Sequence, residues 1–152
     1  MGGRGASSGM TGSNIQRVYS IDESKYSGYA KTLASEANEA LANDSEGKWL
    51  AYTSDTSNGQ SFIVYSLEDN YIAALGSTNQ GAGGSKLLAS ALEDIHKRGN
   101  DKKPAEWITY EKSARNFYDH IGLRKYRKYE TSDTFYVPRS DLLKVANKLK
   151  KR

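Results

Sequence analysis

Residues 70–95 read NYIAALGSTNQGAGGSKLLASALEDI. An apolar, strand-like run enters a glycine-rich bend. The bend then opens into a helix with Leu87, Leu88, Ala91, Leu92 and Ile95 along one side. Glycines at 81, 83 and 84 let main-chain N–H groups face outward with no Cβ in the way, and a helix N-terminus adds about half a positive charge. Strand, bend and helix in this order make an anion site, most often for phosphate or diphosphate. The GxxxxGK[ST] spacing of nucleotide hydrolases is absent, and so is the GxGxxG of dinucleotide folds. Taken alone, a glycine-rich joint of this kind is as common in a purely structural role.

Working outward, residues 17–21 (RVYSI) read as a first short strand. Ser20 and Glu23 have the spacing of a capping box, which predicts a helix carrying Tyr26, Ala30, Leu33, Ala34, Ala37 and Leu41 on one face to about residue 43. Strand-like runs at 48–54, 60–66 and 70–76, joined by SDTSNG and LEDN, predict an antiparallel meander. Beyond the central helix, EWITY at 106–110 is a strand. Residues 112–121 form a short helix with Ala114, Phe117, Tyr118 and Ile121 in one stripe, stopped by Gly122. Residues 123–130 and 133–137 make a hairpin around Thr131 and Ser132, closed by Pro138. Ser140 then caps a last helix bearing Leu142, Val145, Ala146 and Leu149. The predicted order is β-α-β-β-β-α-β-α-β-β plus a C-terminal helix, an α/β (α+β) class with a mixed, mostly antiparallel sheet flanked by helices. Strands 70–76 and 106–110, if parallel, require a right-handed crossover.

The 152 residues hold one domain, read as 15–152 behind a flexible Gly/Ser-rich tail at 1–14. No run of 18 apolar residues exists, and the first 14 residues have no apolar segment of a secretory signal, so no membrane association is expected. There is no cysteine and only two histidines, His96 and His120, which excludes disulfides, thiolate metal sites and thiol nucleophiles. A cytoplasmic protein without a bound metal is the expectation. Charge is uneven: residues 1–95 sum to −5 and residues 96–152 to +9.

Two segments carry a family resemblance. The stretch quoted first resembles the strand, pyrophosphate loop and helix of the GNAT superfamily of acetyl-coenzyme A-dependent N-acetyltransferases, whose loop reads [QR]-x-x-G-x-[GA]. Ala114-Arg115-Asn116-Phe117-Tyr118-Asp119-His120-Ile121-Gly122-Leu123 is similar to that family's A-x-x-F-Y-x-x-x-G-F segment. The motifs span about residues 70–137; upstream, element order alone matches. Counted from Gln80, Gly83 is in place, while Ser85 stands where Gly or Ala is usual. Anchored on Leu87 and Leu88 instead, the loop is one residue short and has no arginine, with Lys86 its one nearby cation. Glu111 stands where the family often has Asn.

The resemblance implies acetyl-CoA as co-substrate and direct attack by a primary amine, of a small molecule or a protein, in a ternary complex. It implies that main-chain amides around Ala74, Leu75 and Gly76 align the pantetheine arm and polarise the thioester carbonyl. Gln80, Gly81, Ala82, Gly83, Gly84, Ser85 and Lys86 would hold the diphosphate. It places Tyr118 as general acid toward the departing thiolate; a core aromatic beside Phe117 is the other role open to that residue. An amine of pKa ~10.4 is only ~0.04% neutral at pH 7, so a base is needed. Glu111 is the candidate, acting directly or through water; a solvated carboxylate at a helix start is its alternative. His120 is a further candidate, equally readable as an exposed helix-end residue.

Glu36, Glu39, Asp44 and Glu46 could draw a cationic acceptor or be an ordinary wet face. Two other function classes stay open: a catalytically inactive GNAT-like module that binds CoA or a partner, and a polyanion-binding domain. The latter would use Arg124, Lys125, Arg127 and Lys128 with Tyr126 and Tyr129, then Lys144, Lys148, Lys150, Lys151 and Arg152. Strand alternation divides the first of these between two faces, Arg124, Tyr126 and Lys128 against Lys125, Arg127 and Tyr129, which argues against nucleic acid. A monomer or homodimer is expected. The tail GGRGASSGM resembles the glycine-rich joint before variable C-terminal domains of some phage head-morphogenesis proteins, implying a phage or virion context.

Overall fold

The computed structural model describes residues 14–128 and 132–151, with backbone alone at 126–128. The tail expected at 1–14 therefore falls outside the described residues, apart from Asn14, and so do Tyr129 and the predicted turn at Thr131. Seven strands form one sheet: β1 (Ile15–Val18), β2 (Trp49–Thr56), β3 (Gly59–Ser66), β4 (Tyr71–Ser77), β5 (Ala105–Thr109), β6 (Arg124–Lys128) and β7 (Asp133–Val137). Their spatial order is β1-β2-β3-β4-β5-β7-β6. Four helices cross it: α1 (Gly28–Ala42), α2 (Gly84–Arg98), α3 (Lys112–His120) and α4 (Leu142–Lys150). The mixed, mostly antiparallel sheet expected from the sequence is present.

Alternation along β3 explains the two cores. Phe62 and Val64 point to one face, where Ala51, Ala74 and α1 residues Ala34 and Ala37 are buried. Ile63 and Tyr65 point to the other, against α2 (Leu87, Leu88, Leu92, Ile95), α4 (Leu142, Leu149), Trp107 and Phe135. So α1 covers one face, while α2, α3 and α4 cover the other. Buried Asp94 pairs with exposed Arg98 one turn on along α2; Tyr65 donates its hydroxyl to the same carboxylate. Burial, with Asp94 beside it, pushes the Tyr65 phenol up, so it remains a donor.

Four local expectations are corrected. The first strand is Ile15–Val18, not 17–21. Ser20 and Glu23 do not cap a helix: Glu23–Lys25 is a 3-10 turn capped by Asp22, and α1 begins at Gly28. The reason is tertiary, because Asn38 of α1 accepts from the Ile21 amide (2.7 Å) and donates to its carbonyl (2.8 Å) and to Glu23. Tyr26 consequently precedes α1, buried edge-on against Phe62, with its hydroxyl donating to Gln60. Ser140 is likewise inside a 3-10 turn, Arg139–Asp141, ahead of α4. Finally, β6 pairs Lys125 with Phe135 and Arg127 with Thr134, so a slip at Tyr126 breaks the simple alternation assumed for the basic strand.

Candidate active site

β4 and β5 are the parallel pair, yet the one register pair joining them is Tyr71 with Glu106 at their N-terminal ends. Asn70 secures that end. It is fully buried with φ 55°, and its amide donates to the carbonyls of Asn100 and Lys103, both at 2.7 Å. Its Oδ1 accepts from the Asn100 amide (2.8 Å) and its own carbonyl from the Glu106 amide (3.1 Å). Beyond this clasp the strands part. On its other side β4 stays paired with β3 as far as Ser77, with a slip in register that leaves Ala73 unpaired between Ile72 and Ala74. Past Tyr71, no further register pair joins the edge of β4 that faces β5.

The gap is a narrow slot of about 60 Å³. Its lining comes from both faces of the sheet: Tyr29, Leu33, Ile108 and Tyr110 from the α1 side, Leu88, Trp107, Ala114 and Tyr118 from the other. Ala74, Leu75 and Glu111 complete it, so four of the residues expected to carry chemistry meet in one place. Tyr118 is 6% exposed, with Trp107 and Phe135 edge-on at ring distances of 5.4 and 5.0 Å. Burial pushes its phenol up, the Trp107 indole opposes this, and Glu111 adds to the rise. Tyr118 is thus packed among core aromatics and also lines the slot. Glu111 is the N-cap residue of α3; its carbonyl accepts from Arg115, and its exposed side chain makes no capping bond.

At the far end of β4 lies the glycine-rich bend. Gly83 takes φ 99° as N-cap of α2, which lets Leu87 donate to its carbonyl. A Cβ there would sit 3.1 Å from the Ser54 hydroxyl. Ser61 donates to the Ala82 carbonyl, and Asn79 donates to Asn58, which fastens the bend to the β2–β3 hairpin. These are bonds of carbonyls and side chains. Among the described residues, the N–H groups of Gly81, Ala82, Gly83, Gly84, Ser85 and Lys86 donate to no protein acceptor. Ala82 is buried, while Gln80, Gly81 and Lys86 are exposed. Gly76 is a packing residue: a Cβ would lie 2.6 Å from the Phe62 ring. The bend is continuous with the slot through β4 and through Leu88 of α2.

Other candidates do not gather there. His120 is exposed in the last turn of α3, and His96 is exposed in the last turn of α2. Asp44 accepts from the Lys48 (2.7 Å) and Trp49 (2.8 Å) amides, which makes it a loop fastener rather than a free acceptor-binding group. Of the acidic set, Glu36 reaches the slot's surroundings, raising the Tyr29 phenol after the larger effect of burial. The basic residues form a separate recess of about 170 Å³ lined by Arg124, Lys144, Lys148 and Tyr136. Two of its cations have partners already, Arg124 facing Asp141 (3.8 Å) and Lys148 donating to the Ile121 carbonyl (3.4 Å). Lys125 pairs with Asp119 and Asp133. Among the described residues no group of three potential metal ligands occurs, and no helix is long and apolar enough to cross a membrane.

Sequence reasoning missed Trp107, Tyr29 and Tyr110. Alternation in EWITY was the available signal, since it sends Trp107 and Ile108 to opposite faces.

No family model matches this sequence, and no curated protein does either. Solved structures do. PH1933 from Pyrococcus horikoshii OT3 is similar with a TM-score of 0.53 at 18% identity, over 82% of this chain and 96% of that one. A point mutant of the spermidine N-acetyltransferase SpeG from Vibrio cholerae is similar with a TM-score of 0.51 at 9% identity, over 85% of this chain and 96% of that one. At these identities the likeness is one of architecture: the chain has a GNAT-like mixed α/β fold.

Proposed function

We propose that the protein is an acetyl-CoA-dependent N-acetyltransferase that acetylates a primary amine by direct attack in a ternary complex. The observation that carries this is the single-rung junction of β4 and β5. It opens a slot through the sheet whose strand leads straight into a bend of unpaired amides. A diphosphate fits that bend by its chemistry, since orphan N–H donors at a helix start favour an anion, and the space beside Gly81 is open. The bound thioester would supply an activated acetyl group.

The chain's own residues then have distinct tasks. Of the main-chain donors at Ala74, Leu75 and Gly76, alternation along the β3–β4 ladder leaves the Leu75 N–H on the edge that faces β5, and it donates to the carbonyl oxygen, where negative charge develops as nitrogen adds. Glu111, at the solvent-facing rim, accepts the proton the ammonium must lose, directly or through water. As the carbon–sulfur bond breaks, the Tyr118 O–H gives its proton to sulfur, and solvent later restores it. Burial keeps the hydroxyl protonated but also makes it a weaker acid, so the transfer needs a donor that steadies the phenolate, and the Trp107 indole opposes the rise. Attack on the thioester needs no covalent enzyme intermediate, in keeping with a chain that has no cysteine. The amine approaches from the α1 side, past Tyr29 and Tyr110 (6.3 Å, edge to face), with Glu36 nearby. A phage context has only the tail sequence behind it.

Coenzyme A should raise the melting temperature by mass action on the folded state. A screen of amines, peptides and aminoglycosides with thiol detection should then reveal the acceptor class. Absence of any stabilisation by millimolar coenzyme A, with salt-dependent DNA binding instead, overturns the proposal in favour of a polyanion-binding domain.

A further inference from the structure

Trp107 holds one of the polar atoms left without a partner inside the described part of the molecule: its indole Nε1 is buried and no hydrogen bond satisfies it. Orphaned buried donors are uncommon in folded proteins, and each asks for a reason. Trp107 is 4% exposed and lines the slot together with Tyr118. The two rings meet edge to face, 5.4 Å apart at 72°. Packing alone would be met by a phenyl ring, as Phe135 shows on the other side of Tyr118 at 5.0 Å.

Among the described residues, the surroundings of Tyr118 offer little else to an ionised oxygen. Phe117 and Phe135 contribute apolar rings. Glu111, at the start of the same helix, is an anion and works against ionisation. Arg115 of α3 and Lys125 of β6 are committed to Asp133 of β7, Lys125 also to Asp119. The indole N–H is the group that favours the ionised phenol.

We propose that Trp107 is a positioning residue for the transfer reaction: its indole N–H orients the Tyr118 hydroxyl and pairs with the phenolate formed when that hydroxyl gives up its proton. This rests on the acetyltransferase reading and adds to it a partner for the acid. The step balances without a further reactant. The O–H bond of Tyr118 breaks, the proton passes to the departing thiolate sulfur, and the electron pair stays on the phenol oxygen facing Nε1–H. Water returns the proton after the thiol leaves. In the resting enzyme the neutral phenol is a weak acceptor, so the indole is left unsatisfied until the oxygen becomes charged.

Two measurements decide it. The first needs no ligand and no turnover. The chain has two tryptophans, Trp49 and Trp107, so the indole N–H resonance of Trp107 is readily assigned by NMR. Tyr118→Phe keeps the ring and removes the hydroxyl; the Trp107 indole signal is expected to shift, while its hydrogen exchange, which no bond to the neutral phenol slows, changes less than about twofold. The second is kinetic. Trp107→Phe is expected to lower kcat about tenfold while KM for acetyl-CoA changes less than about twofold, and to cause no further loss in a Tyr118→Phe background. An indole resonance indifferent to Tyr118→Phe overturns the inference. So does an equal kcat loss with and without the Tyr118 hydroxyl, which is the mark of packing. If the wild-type chain transfers no acetyl group to any amine, the functional proposal fails on its own account, and the ligand-free indole measurement still decides whether Trp107 serves Tyr118.

Discussion

Tyr71 and Glu106 form the one register pair that joins β4 to β5, and the Asn70 carbonyl, next along the chain, accepts from the Glu106 amide at 3.1 Å. Everything proposed for the site depends on these strands touching at one end and parting at the other. Asn70 sets this by gripping residues 100 and 103 from a left-handed backbone conformation that asparagine tolerates. Asn70→Ala removes three side-chain hydrogen bonds, leaves buried main-chain groups unpaired and strains φ. It should lower stability by about 3 kcal/mol in urea unfolding. A loss within about 0.5 kcal/mol would mean that the junction is held elsewhere.

The bend makes a separate demand. Gly83→Ala meets both a positive φ and the Ser54 hydroxyl, so it should cost about 1–2 kcal/mol and displace the first amides of α2, weakening coenzyme A binding about tenfold in calorimetry. Gly81→Ala, at φ 79° with open space around a Cβ, should cost about 1 kcal/mol. Equal coenzyme affinity in wild type and Gly83→Ala would remove the bend from the binding site.

Tyr118→Phe separates binding from chemistry. The Trp107 indole beside the hydroxyl makes no hydrogen bond in the resting protein, so folding and coenzyme A affinity should be kept while turnover falls about 100-fold. Undiminished turnover would make Tyr118 a core aromatic and nothing more.

How much of this the sequence foretold depended on how local the cause was. The β2–β3–β4 meander follows from turn residues beside alternating strands, and α2 from the spacing of its leucines. The bend was legible for the same reason. The parting of β4 from β5 was not, because it is enforced by Asn70 reaching residues 30 or more positions away. Similarly, the Ser20–Glu23 spacing resembles a capping box, but Asn38 claims both Ile21 and Glu23 and delays α1 to Gly28. Tyr118 was found through a motif, whereas Trp107 lies on β5 and Tyr110 just past it, where alternation separates the two faces but does not name what each face meets.

Acid stability should report on the cluster behind α3. Asp133 is 2% exposed, with Arg115 at 3.2 Å and Lys125 at 3.4 Å. Burial, the largest single influence, would raise its carboxyl, but the two cations together hold it below its ordinary value. A depressed carboxyl contributes stability above its unfolded pKa of about 3.9 and loses it as pH falls through the lower folded value. Asp133→Asn should therefore be less stable than wild type at pH 7, with the difference shrinking below about pH 4. A difference that stays constant from pH 7 to pH 2.5, by thermal unfolding, would refute this role.

The most direct trial of the whole account is an amide-resolved NMR titration with coenzyme A. Saturable shifts should concentrate on the N–H groups of Gly81, Ala82, Gly83, Gly84, Ser85 and Lys86, and extend along β4 through Ala74, Leu75 and Gly76. Amides of the bend that stay still at millimolar coenzyme A, or shifts confined to the recess around Arg124 and Lys144, would contradict it.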